Sequence, residues 1–388
     1  VVGTRDQAEQ DGGAAPRSIG LRLLGWFWIL LILGLAGGAA GLQVLGPPQG
    51  KPAPHSPPAT EGHAAPPRAT GSLASAVPAP PPPRLTDVAF TRHAAGAPIS
   101  PPEPALLAPS TQFPDLQLPR IAADGRLPMQ VYAGGFDSAD TRPKVALILA
   151  GIGQSDMYSD DASRLLPAGV TFAISPYASQ PARLLEDIRA HGHEFLLSLP
   201  MEPLGYPVND AGPQSLLTGA APAQNTQRLE WALTRFAGYV GATSALDGLR
   251  GERFSASSTQ LDAVLDTLAA RGLLYVDANP PSARPASADP PKPPSRAVDI
   301  VIDDPAVRVE IERKLQALEQ IARDRGSAIG LAGLPRPVTI DRIAAWTNSL
   351  AAHGIALAPV SVVVLLPPPA APLAGDAATV AARAGRVP

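Results

Sequence analysis

Residues 194–219 read EFLLSLPMEPLGYPVNDAGPQSLLTG, and their reading decides the fold. Phe195, Leu196, Leu197 and Leu199 make a nearly unbroken apolar run, the pattern of a strand buried on both faces. The run breaks at Pro200 into a long loop, Met201-Glu202-Pro203-Leu204-Gly205-Tyr206-Pro207, stiff at its prolines and permissive at Gly205. Strand–helix proteins keep their sites in long loops at the C-terminal ends of strands. Met, Leu and Tyr are too dense here for a solvated connector, so the loop is expected to line a groove.

The same alternation extends to both sides. Apolar runs at 145–149, 170–174, 239–242, 273–276, 298–302, 328–331 and 355–360 read as further strands. Helical stretches intervene near 158–166, 181–191, 223–236, 259–271, 307–325 and 338–353. In the fifth of these Val307, Ile311, Leu315, Leu318 and Ile321 form one apolar stripe. His191-Gly192, Arg271-Gly272, Arg325-Gly326 and His353-Gly354 mark helix ends, each with a basic residue and a glycine for the left-handed cap. Strands and helices in strict alternation imply a parallel sheet, and about seven units imply closure into a βα barrel, with an open doubly wound sheet as the alternative. Gly151-Ile152-Gly153 follows the first strand without completing a dinucleotide fingerprint, so no nucleotide is expected.

Outside this region the composition changes. Of 47 prolines in the 388 residues, 21 fall between Gly46 and Pro128. Residues 46–115, with PAPPPP at 78–83, are expected to be a disordered, partly extended linker, and 367–388 a similar tail. Residues 23–45 (LLGWFWILLILGLAGGAAGLQVL) hold no charge and are long enough for a helix through a hydrocarbon core of about 30 Å. Arg17 and Arg22 before it favour a cytoplasmic N-terminus, residues 1–22. A cleaved signal peptide ending near Ala39-Ala40-Gly41 is the rival reading. The expectation is a single-pass inner-membrane protein whose folded domain, 116–366, lies in the periplasm. A net charge of −3 excludes the basic face of a nucleic-acid binder. The absence of cysteine excludes disulfides and thiolate metal sites.

From Leu116 to Ser361 the chain resembles the divergent polysaccharide deacetylase family. The pieces that carry the resemblance come in order: LPRIAADGRLPMQVYA, KVALIL, LLSLPMEPLGYP, GPQSLLTG, RLEWALTRFAGYVG, RGLLYVD, the helix at 307–325, RGSAIG and GLPRPVTI. The resemblance implies a distorted βα barrel of the polysaccharide deacetylase type, in an envelope protein acting on or near a glycan. It also implies a metal site that this chain does not carry over. Ala150-Gly151 stands where the family has Asp-Asp, Ser198 and Leu334 each where it has His, and Ser244-Ala245 where it has Asn-His. A few extra residues follow around Asp247–Arg250.

Alanine, glycine and leucine supply no metal ligand, so neither a catalytic metal nor another cofactor is expected. Glu202 and Asp277 match acidic positions of the family. Together with Tyr206 they are the expected substrate-binding residues, Tyr206 and Tyr177 being candidates for stacking on sugar faces. Glu202 and Asp277 could act as an acid/base pair only if within about 10 Å of each other. His191, His193 and His353 are expected to be structural, and Asp303-Asp304 to cap the helix that follows. No His is placed to serve a Ser-His-Asp set. The reading is a catalytically degenerate deacetylase-like domain whose partner is an envelope glycan or an envelope protein. The alternatives are a metal-free hydrolase using Glu202 and Asp277, and a spacer docking on a partner protein.

Overall fold

A computed structural model describes residues 94–280 and 293–365. The chain enters as a strap in which β1 (Leu107–Pro109) pairs antiparallel with β2 (Gln117–Pro119), followed by the single-turn helix α1 (Pro128–Val131). Strand and helix then alternate as the sequence demands. β3 (Lys144–Ile152) leads to α2 (Asp156–Leu165), β4 (Val170–Ile174) to α3 (Pro181–Ala190), and β5 (Phe195–Ser198) to α4 (Pro222–Leu233). β6 (Gly241–Thr243) leads to α5 (Glu252–Ser255) and α6 (Ser258–Ala270), and β7 (Leu274–Asp277) follows. The remaining elements are β8 (Ser295–Ala297), β9 (Ile300–Val301), α7 (Arg308–Arg325), β10 (Ser327–Ala332), α8 (Pro337–Thr347), β11 (Ala356–Leu357) and α9 (Val360–Leu365).

All ladders from β3 onward are parallel, in the order β8-β7-β6-β5-β4-β3-β10-β9, and β11 pairs with the start of β3 at Ala356↔Lys144. The sheet is curled into a half-barrel. Its two edges are served by one stretch, residues 295–301, which changes partner midway. The Val298 N–H donates to the Asp277 carbonyl (2.9 Å), and the next N–H, of Asp299, donates to Ile329 on the opposite edge (2.8 Å). The expected barrel is therefore met as a curled sheet in which β8 and β9 never pair with each other.

Strand period explains the two cores. Along β3, Val145, Leu147 and Leu149 pack outward against the helices, while Ala146, Ile148 and Ala150 face the concave side. Small residues recur on that side, with Ala173, Ala245 and Ala278 beside Ala150, because tight curl leaves little room. Gly241 marks the closest approach, where a Cβ would stand 2.3 Å from the Leu274 carbonyl oxygen. Val360, Val363 and Val364 of α9 join the concave cluster.

Three expectations need correction. The domain does not begin at Leu116, because residues 94–115 are packed onto it. Leu106 is fully buried, Ile99 nearly so, and the Ser110 hydroxyl donates to Glu230 Oε1 at 2.5 Å. Proline-rich backbone has few N–H donors to offer a ladder, so beyond the short β1–β2 pair the strap takes its partners from the domain. The Ile99 N–H donates to the Arg189 carbonyl and the Glu103 N–H to the Tyr132 hydroxyl. Next, the strand expected over 355–360 is only β11, since Pro359 ends it and opens α9. Finally, Asp303-Asp304 does not cap α7, whose N-cap is Val307 with no side-chain bond. The glycine caps stand as read, with Gly326 at φ +79° closing α7. The expected membrane segment 23–45, most of the expected linker 46–115 and the expected tail 367–388 lie outside the described residues. Among those described, no helix is long and apolar enough to cross a membrane.

Candidate functional site

Parallel strands put all their C-terminal ends at one mouth, and the loops there hold the chain's chemistry. The block that opens the loop after β5 proves to be architectural. Pro200 turns the chain, Met201 bridges Leu216, and the Glu202 N–H donates to the Leu216 carbonyl at 2.9 Å. The Glu202 carboxylate, 3% exposed, is taken up in full by its neighbours. Oε2 accepts from the Thr218 N–H (2.6 Å) and hydroxyl (2.7 Å), and Oε1 pairs with Arg253 Nε at 3.0 Å. Asp277 Oδ1 accepts from Asn279, through its N–H at 3.0 Å and its amide at 2.9 Å, and from the Ser244 hydroxyl at 3.4 Å. No hydrogen bond or ion pair joins Glu202 to Asp277 among the described residues. Tyr206 is half-buried on the loop. None of the three lines either cavity described below.

Ala150 and Gly151 lie just before Ile152 at the end of β3, Ser198 ends β5, Ala245 follows β6 and Leu334 follows β10. A Cβ on Gly151 would stand 2.8 Å from Leu334 Cδ2, and one on Gly248 3.7 Å from Leu334 Cδ1. The leucine side chain thus lies across the space that ligands from the ends of β3 and β6 would need. Ser198 is fully buried and its hydroxyl has no partner among the described residues. One orphan hydroxyl cannot hold a divalent ion, and among the described residues no three His, Cys, Asp or Glu side chains converge to do so. The residues present do not fit the metal that the fold family implies.

The extra residues after β6 form a tight turn. Leu246 and Leu249 exchange both backbone hydrogen bonds, with Asp247 (φ +52°) and Gly248 (φ +86°) between them. Leu-Asp-Gly-Leu, with two left-handed residues between two apolar ones, is the signature of a primed turn. That was the signal by which the sequence could have disclosed Asp247 as a site residue. Its Oδ2 accepts from the Gln154 amide and the Ser175 hydroxyl, while Oδ1 has no partner among the described residues. Burial pushes this carboxyl above its usual range, against the lowering pull of those two hydrogen bonds.

The turn contributes to two cavities. One, of about 540 Å³, is lined by Gln154, Tyr177, Asn209, Asp210 and Asp247 around Gly212 and Pro213. The Tyr177 ring leans on Trp231 at 5.4 Å, and its hydroxyl accepts the Gln214 N–H at 3.2 Å. The other, of about 180 Å³, lies over Ala150, Ala245, Leu331 and Leu334, with Arg250, Asp303, Asp304 and Arg336 at its rim. Asp303 is buried to 4% exposure, and this burial raises its carboxyl. It accepts the Gly333 N–H at 2.8 Å and the Leu334 N–H at 3.4 Å, and so holds the loop that carries Leu334.

A family model described as divergent polysaccharide deacetylase matches residues 147–364. The chain belongs to that family. Among solved structures it is similar to an uncharacterized protein of Agrobacterium tumefaciens, 34% identical with a TM-score of 0.59, over 64% of this chain and 99% of that one. An uncharacterized protein of Haemophilus influenzae is 24% identical over 210 residues, 53% of this chain and 72% of that protein.

Proposed function

We propose that this domain holds a glycan chain at the mouth of its sheet and performs no metal-dependent deacetylation. One observation carries the reading: a cavity of about 540 Å³ with sugar-binding chemistry adjoins a family metal position overlaid by Leu334. Tyr177 offers an aromatic face for a pyranose ring, and Gln154, Asn209, Asp210 and Asp247 offer acceptors and donors to its hydroxyls. Without a metal to polarise an acetyl carbonyl or activate water, the family's hydrolysis has no starting point here. The uncharged run 23–45 and the proline-rich stretch after it support a tethered domain outside the cytoplasm, within reach of envelope glycans.

The test uses the full chain in detergent and an oligosaccharide of β-1,4-linked N-acetylglucosamine. Tyr177→Ala and Asn209→Ala should each weaken binding, the former by about tenfold. Protein exposed to zinc and desalted should retain far less than one equivalent, and acetate release should stay at background. Stoichiometric zinc lost on Asp303→Asn, or measurable turnover, would restore the enzyme reading. Absence of oligosaccharide binding would remove the glycan.

A further inference from the structure

The smaller cavity has a chemistry of its own. Its floor is apolar, made of Ala150, Ala245, Leu331 and Leu334, and two arginines stand at its rim. Arg250 donates through Nε to Glu252 Oε1 at 3.2 Å, while its Nη1 is 3.9 Å from Asp304 Oδ2. Arg336 Nη1 is 3.7 Å from Asp303 Oδ2. Separations of 3.7 and 3.9 Å are beyond hydrogen bonding, so the outer nitrogens of both guanidiniums have no hydrogen-bond partner among the described residues. Glu252, Asp303 and Asp304 balance the charge of the two arginines, so what the rim offers is unused hydrogen-bond donors and not an excess of positive charge. Asp303 spends its oxygens on the Gly333 and Leu334 N–H groups. The Asp304 side chain is 73% exposed and free to turn into water, as exposed ion pairs of this separation are weak.

We infer that Arg250 and Arg336 form an oxyanion clamp over the floor of the lost metal site, which takes an acidic substituent of the bound ligand. Two planar guanidiniums with free outer donors are the arrangement that recognises carboxylate or phosphate, and an apolar floor strengthens the attraction. A space of about 180 Å³ suits one such group, and the larger neighbouring cavity would take the sugar ring that carries it. Leu249 lines both spaces, so a sugar in one could project its acid into the other. The clamp rests on the glycan reading for its sugar, and stands apart from it in its anion.

Calorimetric titration of the full chain with glucuronate, inorganic phosphate and glucose tests this. Glucuronate should bind at least about tenfold tighter than glucose and lose that margin as salt rises. Arg250→Gln and Arg336→Gln should each reduce glucuronate to the level of glucose, with Arg336→Lys keeping part of the gain. Both side chains are partly exposed, and melting curves establish that the variants are folded. Phosphate binding that depends on both arginines, without glucuronate binding, upholds the clamp and assigns the anion to phosphate. Binding of neither anion, or anion binding indifferent to both substitutions, overturns it. The glycan reading is tested separately by the neutral oligosaccharide and Tyr177.

Discussion

Glu202 shows why a specific motif need not be a catalytic one. It joins three pieces of chain through one carboxylate: its own loop, Thr218 and Arg253. Glu202→Ala should therefore cost about 2–4 kcal/mol, because the Thr218 N–H loses a charged acceptor at a buried position. Glu202→Gln should cost less, since the amide keeps one acceptor oxygen. Thermal melts measure the loss, and oligosaccharide affinity should follow stability and nothing more. A Gln variant that melts normally yet no longer binds glycan would return Glu202 to the ligand. The sequence disclosed the acidic residue and its loop, but not its partners, which come from contacts many residues away. His193 was legible in its role. It is fully buried, stacked on Phe172 at 4.3 Å, with Nδ1 2.9 Å from the Val170 carbonyl oxygen. Burial lowers its pKa, against the raising pull of its carbonyl neighbours. A histidine depressed in the fold binds fewer protons there than in the unfolded chain. Its contribution is thus fully present above about pH 6.5 and is lost as pH falls toward the folded value. Melting temperature should drop with pH below 6.5, and His193→Asn should flatten that part of the profile.

At the scale of elements, the alternation of apolar runs and helical stripes made β3, β4, β5, β7, α3 and α7 readable nearly to their ends. Their signal is local, since a buried parallel strand is a short apolar block and α7 carries a stripe. The strap was not readable. Its composition is that of a linker, and what orders it is long-range: Leu106 under the domain, and Ser110 on Glu230, 120 residues away. Limited proteolysis of the full chain should therefore leave a stable fragment beginning near Ala94, not between Ser110 and Lys144. Leu106→Ala, which empties a fully buried site, should cost about 2–5 kcal/mol and open the strap to the protease first. A fragment that starts after Leu116 and melts like the full chain would make the strap dispensable.

On the scale of the whole molecule, the curled sheet supports the proposal that the domain keeps its mouth without the family's metal site. The strands are held by ladders and by two apolar faces, and the tip residues belong to both: Ser198 pairs with Thr243, and Ala150 and Ala245 join the concave face. In the proposed reading Ala150, Ser198, Ala245 and Leu334 serve that frame and present no metal ligand at the mouth. We propose that the N-terminal segment sets where the frame is presented. Residues 23–45 hold no charge, Trp26 and Trp28 suit an interface, and Arg17 and Arg22 lie on the near side. In the proposed topology those two arginines stay on the cytoplasmic side and everything after residue 45 lies on the other face of the membrane. A reporter that works only outside the cytoplasm, fused after Gly46 or after residue 365, should be active at both positions, and a cytoplasmic reporter silent at both. Replacing Arg17 and Arg22 with Asn, and adding lysines after Leu45, should weaken or invert that pattern. Activity of the cytoplasmic reporter in the unaltered chain would defeat the topology. A mature N-terminus near Gly41 would leave the domain outside the cytoplasm but free of the membrane.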